Sequence, residues 1–218
     1  MKNKLTKLIL ALVITTSAPA YSLVLTFEGL GDLAPVGSFY NTAPQDYDVV
    51  FSQNALALID SDAGGSGNFG GEPSPNTALF FNTGTGITLD ALSGFSTGFS
   101  FYYSAINTGG NVNIYDGGGQ TGTVLASLNL TMTPNNGAPD PNGAFSPFVP
   151  IGVLFSGTAR SVGLMGTANE IIFDNITLGS NIPGRIPEPG TLILLGGGLL
   201  LLGILGLSRR GKSKKHPD

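Results

Sequence analysis

The chain has 218 residues, no cysteine, 33 glycines and 14 prolines, and only 11% of its residues are charged, for a net charge of −4. The lack of cysteine excludes disulfide staples, thiol catalysis and thiolate metal sites. Between Tyr21 and Gly190 the only basic residues, Arg160 and Arg185, stand against thirteen acidic ones, and this local charge of −11 repels phosphate backbones and excludes nucleic acid as a partner.

The first element is an address label. Lys2, Lys4 and Lys7 precede the apolar run from Leu8 to Ile14, and small and polar residues then lead to Ala18-Pro19-Ala20. A positive start, a short oily stretch and a small-x-small end are what signal peptidase reads, because its pocket excludes bulky side chains. Residues 1–20 are therefore expected to be a signal peptide cut after Ala20, with Ala18 and Ala20 as the cleavage determinants. The apolar run is short for a permanent anchor.

From residue 21 to residue 180 the pattern is β throughout. Alternating or β-rich runs recur at Leu23 to Phe27, Tyr47 to Phe51, Ala55 to Ile59, Gly98 to Tyr103, Asn111 to Tyr115, Thr123 to Leu128 and Glu170 to Leu178, each bounded by Gly, Pro, Asn or Asp. No stretch here sustains a helical period, which argues against a parallel sheet with crossover helices. The expected fold is all-β: an antiparallel sandwich, jelly-roll-like, of about eight to ten strands.

Two long loops interrupt the pattern. In the first, Asp60 to Asn76, the pair Asp60 and Asp62 suggests a cation loop, but Ala63 and Gly64 stand where oxygen ligands are wanted, so a solvated surface loop is expected. The second, Thr131 to Phe148, is rich in Pro, Asn and Gly and is either functional or merely mobile. Gly117-Gly118-Gly119 after Asp116 reads as a hairpin turn. Tyr102, Tyr103 and Tyr115 are candidates for stacking on sugar rings, and equally for packing within the sheets, in a chain without tryptophan.

The opening strand, Leu25-Thr26-Phe27-Glu28-Gly29-Leu30, and the closing strand, Ile172-Phe173-Asp174-Asn175-Ile176-Thr177-Leu178, together resemble the first and last strands of carbohydrate-binding-type jelly rolls. In those the two termini pair, and acids from both can hold a structural calcium. The resemblance implies Glu28 and Asp174 as ligands, since a hard cation takes carboxylate and carbonyl oxygens. The residues alone also allow two acids that simply face water at strand ends or cap turns.

The chain ends in three parts. Residues 181–190 form a linker containing Pro187-Glu188-Pro189, which fixes two φ angles and removes two amide donors, so it can join neither helix nor sheet. Thr191 to Leu207 is an apolar or glycine run of 17 residues, near the lower limit for a transmembrane helix. Residues 208–218 carry Arg209, Arg210, Lys212, Lys214 and Lys215, which keep that end cytoplasmic and place the acidic body across the membrane.

This tail resembles that of the PEP-CTERM family of exported bacterial proteins. Its motif maps onto Pro187, Glu188 and Pro189, its transmembrane helix onto Thr191 to Leu207, and its basic end onto Arg209 and Arg210. The resemblance implies recognition by an exosortase in a Gram-negative bacterium that makes extracellular polysaccharide. Export across the inner membrane would then be followed by anchoring and release to the cell surface or its surroundings. The segment after Arg210 is longer than the family's usual tail. A permanently anchored single-pass protein is the alternative reading.

Catalysis is not expected. The only histidine, His216, lies in the basic tail, so the body has neither imidazole nor thiol for a nucleophilic dyad or a His-ligated zinc. A carboxylate-based glycan hydrolase, which needs only two acids, is the remaining enzymatic alternative. The body reads as a non-catalytic binding or structural module with extracellular polysaccharide as a candidate partner.

Overall fold

The computed structural model describes residues 22–133 and 143–184. Among these, eleven strands form two antiparallel sheets, and the helical content is one 3-10 turn at Phe39–Asn41. The six-stranded sheet contains β1 (Leu23–Leu25), β3 (Leu56–Ile59), β4 (Thr77–Phe80), β6 (Gly98–Ala105), β9 (Val149–Leu154) and β11 (Ile171–Leu178). Its order is β3-β4-β11-β6-β9, with β1 added on β11. The five-stranded sheet runs β2 (Val49–Phe51), β5 (Gly86–Phe95), β10 (Ala159–Met165), β7 (Gly110–Tyr115), β8 (Val124–Leu130).

The order contains the jelly-roll expected from the strand pattern. Within the two sheets, β4-β11-β6-β9 faces β5-β10-β7-β8, the arrangement of two interlocked Greek keys. β1, β2 and β3 are additions to this frame.

The core follows from period-two alternation. Ile87, Leu89 and Ala91 of β5, Val112 and Ile114 of β7, and Val162 and Leu164 of β10 are buried in one layer. Phe99, Phe101 and Tyr103 of β6 and Phe173 of β11 supply the other. Phe101 packs at 5.6 Å from both Phe99 and Phe173, centroid to centroid, in the tilted and edge-on geometries that ring quadrupoles favour.

β4, β6 and β11 are buried on both faces, against the one-sided burial of β5 and β7. The cause is a second apolar cluster on the outside of the six-stranded sheet: Leu58, Phe80, Tyr102 and Ile172 from the strands, covered by Phe69, Phe145 and Phe148 from the two long loops. The loop from Asp60 to Asn76, expected to be solvated, instead drives Phe69 to complete burial and bridges to Phe145. Its glycines and polar residues hid a single anchoring ring.

The chain leaves the sandwich packed against it. The Ser100 hydroxyl donates to the Ser180 carbonyl at 2.9 Å, and Gly152 has to be glycine, since a Cβ there would lie 2.2 Å from the Asn181 carbonyl oxygen. The Gly184 amide still donates to the Thr177 hydroxyl at 3.0 Å. Residues 1–20, the Pro187-Glu188-Pro189 motif, the span at 191–207 and the basic end lie outside the described residues. Among the described residues no helix is long and apolar enough to cross a membrane.

Candidate functional site

β11 changes neighbour halfway along. Phe173 pairs with Leu79 of β4, whereas Ile176, Thr177 and Leu178 pair with Leu25, Val24 and Leu23 of β1. At the handover the register against β6 slips between Asp174 and Thr177, and Asn175 takes a left-handed φ of 46°. The irregularity sets the Asp174 carboxyl into the gap between β4 and β1, and Asp174 and Asn175 are both completely buried.

The loop before β4 closes over that gap. Asp174 Oδ2 accepts the Ser74 amide at 3.0 Å and the Ser74 hydroxyl at 2.7 Å, while Oδ1 lies 2.8 Å from that hydroxyl and accepts the Asn175 amide at 2.6 Å. From the end of β1, Glu28 Oε1 accepts the amides of Asn76 and Thr77 at 2.9 and 2.8 Å. The structure thus brings the two acids to the same short segment, residues 74–77, one from each end of the body. Glu28 caps the loop, as the turn-capping alternative allows, whereas Asp174 is sealed in and does not face water.

The electrostatics of the gap are one-sided. Burial pushes the Asp174 carboxyl up to about 8, against the pull of its hydrogen bonds from Ser74 and Asn175, and the charge of Glu28 adds to the rise. Tyr40, whose hydroxyl accepts the Phe27 amide at 2.6 Å, is raised by the same burial, and the charges of Asp174 and Glu28 add to it.

Oxygen is also in surplus. The Ser74 hydroxyl, with one proton to give, has the Thr26 carbonyl at 3.3 Å, the Thr77 carbonyl at 3.4 Å and both Asp174 oxygens around it. The buried Asn175 oxygen and nitrogen are both without a hydrogen-bond partner. A buried carboxyl held mostly protonated by its surroundings, which a cation would ionise, amid converging neutral oxygens fits a hard cation, which takes six to eight such ligands. Among the described residues no cluster of three or more acidic, His or Cys side chains exists, so any ion held here takes most of its ligands from neutral oxygens.

At the edge between the sheets lies a cleft of about 370 Å³, lined by Tyr47, Asp48, Ser93, Ser96 and Thr97 with Leu23, Phe95 and Leu178 beneath. Tyr47 is 45% exposed, and two contacts hold it in place. Its amide donates to the Tyr40 carbonyl at 2.7 Å, and its ring lies nearly parallel to that of Tyr40, at 19° and 6.2 Å. Asp48 accepts a hydrogen bond from the Ser93 hydroxyl.

Two non-glycine residues of the cleft hold left-handed backbone, Asp48 at φ 56° and the β-branched Thr97 at φ 80°. Such conformations cost on the order of 1–3 kcal/mol each and concentrate where a surface has a task. The Tyr-Asp dipeptide stands just before β2, and the exposure of its ring distinguishes it from the other tyrosines among the described residues. Tyr102 and Tyr103 pack in the sheets, Tyr103 donating to the Thr131 carbonyl at 3.1 Å, and Tyr115 is half-buried. The glycines after Asp116 form the β7–β8 hairpin turn, closed by the Thr123 amide on Asp116 at 2.7 Å.

No protein-family model matches the chain, and no curated protein matches it in sequence. Among solved structures, a family 6 carbohydrate-binding module is 18% identical, with 59% of this chain and 83% of that one aligned and a TM-score of 0.35. CsCBM6-3 from Clostridium stercorarium, solved in complex with cellobiose, is 13% identical over 64% of this chain and 92% of its own, with a TM-score of 0.38. A glycoside hydrolase family 43 arabinoxylan arabinofuranohydrolase from Bacillus subtilis, in complex with cellotetraose, is 16% identical over 69% of this chain and 28% of its own, also at 0.38. Likenesses this distant lend the chain no ligand.

Proposed function

We propose that the body is a non-catalytic polysaccharide-binding module, exported by the signal peptide at residues 1–20 and passed to an exosortase through Pro187, Glu188, Pro189, the span at 191–207 and Arg209-Arg210. The observation that carries the binding role is the Tyr47 cleft. A ring pinned on one side and open on the other offers the flat apolar face on which the C–H side of a pyranose packs. The adjoining Asp48 carboxylate accepts sugar hydroxyls, and Ser93, Ser96 and Thr97 border it with further hydroxyls. The local charge of −11 favours a neutral glycan over an anionic one.

Calcium at Glu28 and Asp174 is part of the same proposal. Glu28, Asp174, the Thr26 carbonyl and the Ser74 hydroxyl would hold it, with Asn175 alongside. Bound there, the ion would neutralise the buried charge and tie the first strand to the last. The role is structural, since the gap is closed over by residues 74–77.

The test uses mature protein from the native host, run by affinity electrophoresis through gels containing neutral polysaccharide from the host matrix. Tyr47→Ala removes roughly 60 Å² of apolar contact, about 1.5 kcal/mol, or about tenfold in affinity. Asp48→Asn, which tolerates the left-handed backbone, removes hydrogen bonds to a charged acceptor worth about 1.5–3 kcal/mol. Retardation should fall in both variants while their melting curves stay near the wild type. Unchanged retardation in both sinks the cleft as the binding site.

A further inference from the structure

On the outer face of the six-stranded sheet, away from the Tyr47 cleft, the two long loops leave a pocket of about 270 Å³. Its apolar lining is the exposed Leu33 over a buried floor of Leu58, Phe80 of β4, Ile172 of β11 and Phe145 of the second loop. Its polar lining is made of Asn68, Asn82, Asn169 and Ser66, and none of the residues lining the pocket is charged.

The three asparagines are exposed, and among the described residues their carboxamides make no hydrogen bond, whereas their backbones are fixed. The Asn68 carbonyl accepts the Phe145 amide at 3.0 Å, the Asn169 amide donates to the Phe81 carbonyl at 3.0 Å, and Asn82 follows directly on the buried Phe80-Phe81 pair. Each carboxamide offers two donors and one acceptor. Three unspent amides around a preformed apolar floor suit a ligand with one greasy face and a rim of uncharged hydroxyls or amides, held with little ordering cost.

We infer that this pocket is a second, independent saccharide site, taking one uncharged pyranose unit with its C–H face on Leu33 and the outer edges of Phe80 and Phe145 and its polar rim on Asn68, Asn82 and Asn169. It shares with the reading above only the class of ligand. Two sites on separate faces would let one copy bridge two glycan chains, so the protein would cross-link a matrix as well as adhere to it.

The experiment follows the side-chain amide signals of ¹⁵N-labelled mature protein by NMR, during titration with methyl β-glucoside, methyl β-galactoside, N-acetylglucosamine and, separately, glucuronate. At least one neutral sugar should shift the signals of Asn68, Asn82 and Asn169 together, with glucuronate weaker. Asn82→Ala, at an exposed position, should weaken that sugar about tenfold. Asn68→Ala serves if the first variant does not fold. Tyr47→Ala should leave these shifts intact.

Absence of shifts with every neutral sugar, or shifts with glucuronate alone, overturns the inference. So does their loss in Tyr47→Ala, which would make the two places one site. Shifts at the asparagines with no effect of any sugar at Tyr47 would keep this site and remove the cleft.

Discussion

Replacing Asp174 by Asn tests the buried gap most sharply, because the geometry says what an amide cannot do there. The carboxylate serves three donors: the Ser74 amide, the Ser74 hydroxyl and the Asn175 amide, the last on the other oxygen from the first. Asparagine has one oxygen, so it can keep only one of the two backbone amides and turns an N–H₂ towards the other. An unsatisfied buried donor costs about 1–3 kcal/mol, and at a pH above the raised value of about 8, where the group is ionised, loss of a charge-assisted bond adds a similar amount. A total of about 2–5 kcal/mol lowers the melting temperature by roughly 5–15 °C in a domain of this size.

The variant also loses a calcium ligand. Calcium at a hundred times its Kd stabilises the folded state by about 2.7 kcal/mol, so wild-type protein should melt roughly 5–10 °C higher in millimolar calcium than in EDTA. The Asn variant should not respond. Thermal melts of both proteins by circular dichroism, with magnesium as the control ion, provide the assay. Equal midpoints of wild type in calcium and in EDTA would remove the metal. An Asn variant that melts with the wild type in EDTA would refute the hydrogen-bond accounting itself.

Other consequences can be checked alongside. Partial burial tends to raise Asp32, but hydrogen bonds from the Ile59 amide and the Ser66 hydroxyl outweigh it and hold the group below its ordinary 3.8. Its ionised form is therefore favoured by folding, and the stability it adds is present above pH 3.8 and lost as pH falls below it. The melting-temperature advantage of wild type over Asp32→Asn should shrink between pH 5 and pH 3, and a constant difference would contradict this.

Thr97→Gly relieves a β-branched residue held at φ 80° and should raise stability by up to about 1 kcal/mol, read from urea midpoints. A destabilised variant would show that the threonine side chain gives more than the strain takes. In a host with its exosortase, the surface form should lack everything after Pro189, and intact-mass measurement finding Asp218 on that form would favour the permanently anchored alternative.

The sandwich was legible because alternation is a local signal. Leu23 to Phe27, Ala55 to Ile59 and Glu170 to Leu178 announce β1, β3 and β11 as short alternating or β-rich apolar runs bounded by Gly, Pro, Asn or Asp. β10 was harder to see. Arg160 and Gly163 interrupt its pattern, and Gly163 is tolerated because its position takes the Gln120 carboxamide, which would lie 2.4 Å from a Cβ there. β4 is only four residues long and buried on both faces, so it shows no alternation at all.

Sites follow a different logic. Glu28 and Asp174 stood out because they belong to the runs that open and close the body, Glu28 just after β1 and Asp174 within β11, and the structure brings both to residues 74–77. Ser74, which links Asp174 to the Thr26 and Thr77 carbonyls, gave no sign, because a serine between prolines reads only as loop. Tyr47 and the three asparagines were invisible for a related reason: what sets them apart is exposure and an unspent hydrogen-bonding group, which exist only after folding. Tyr102 and Tyr103 look the same in sequence and are buried.

The most direct test of the whole account is isothermal titration of mature protein with two matrix polysaccharides of equal length, one neutral and one rich in uronic acid. The account predicts saturable heat with the neutral polymer, weakened at least tenfold by Tyr47→Ala, and little with the anionic one. Binding that prefers the anionic polymer, or no heat with either, would contradict it.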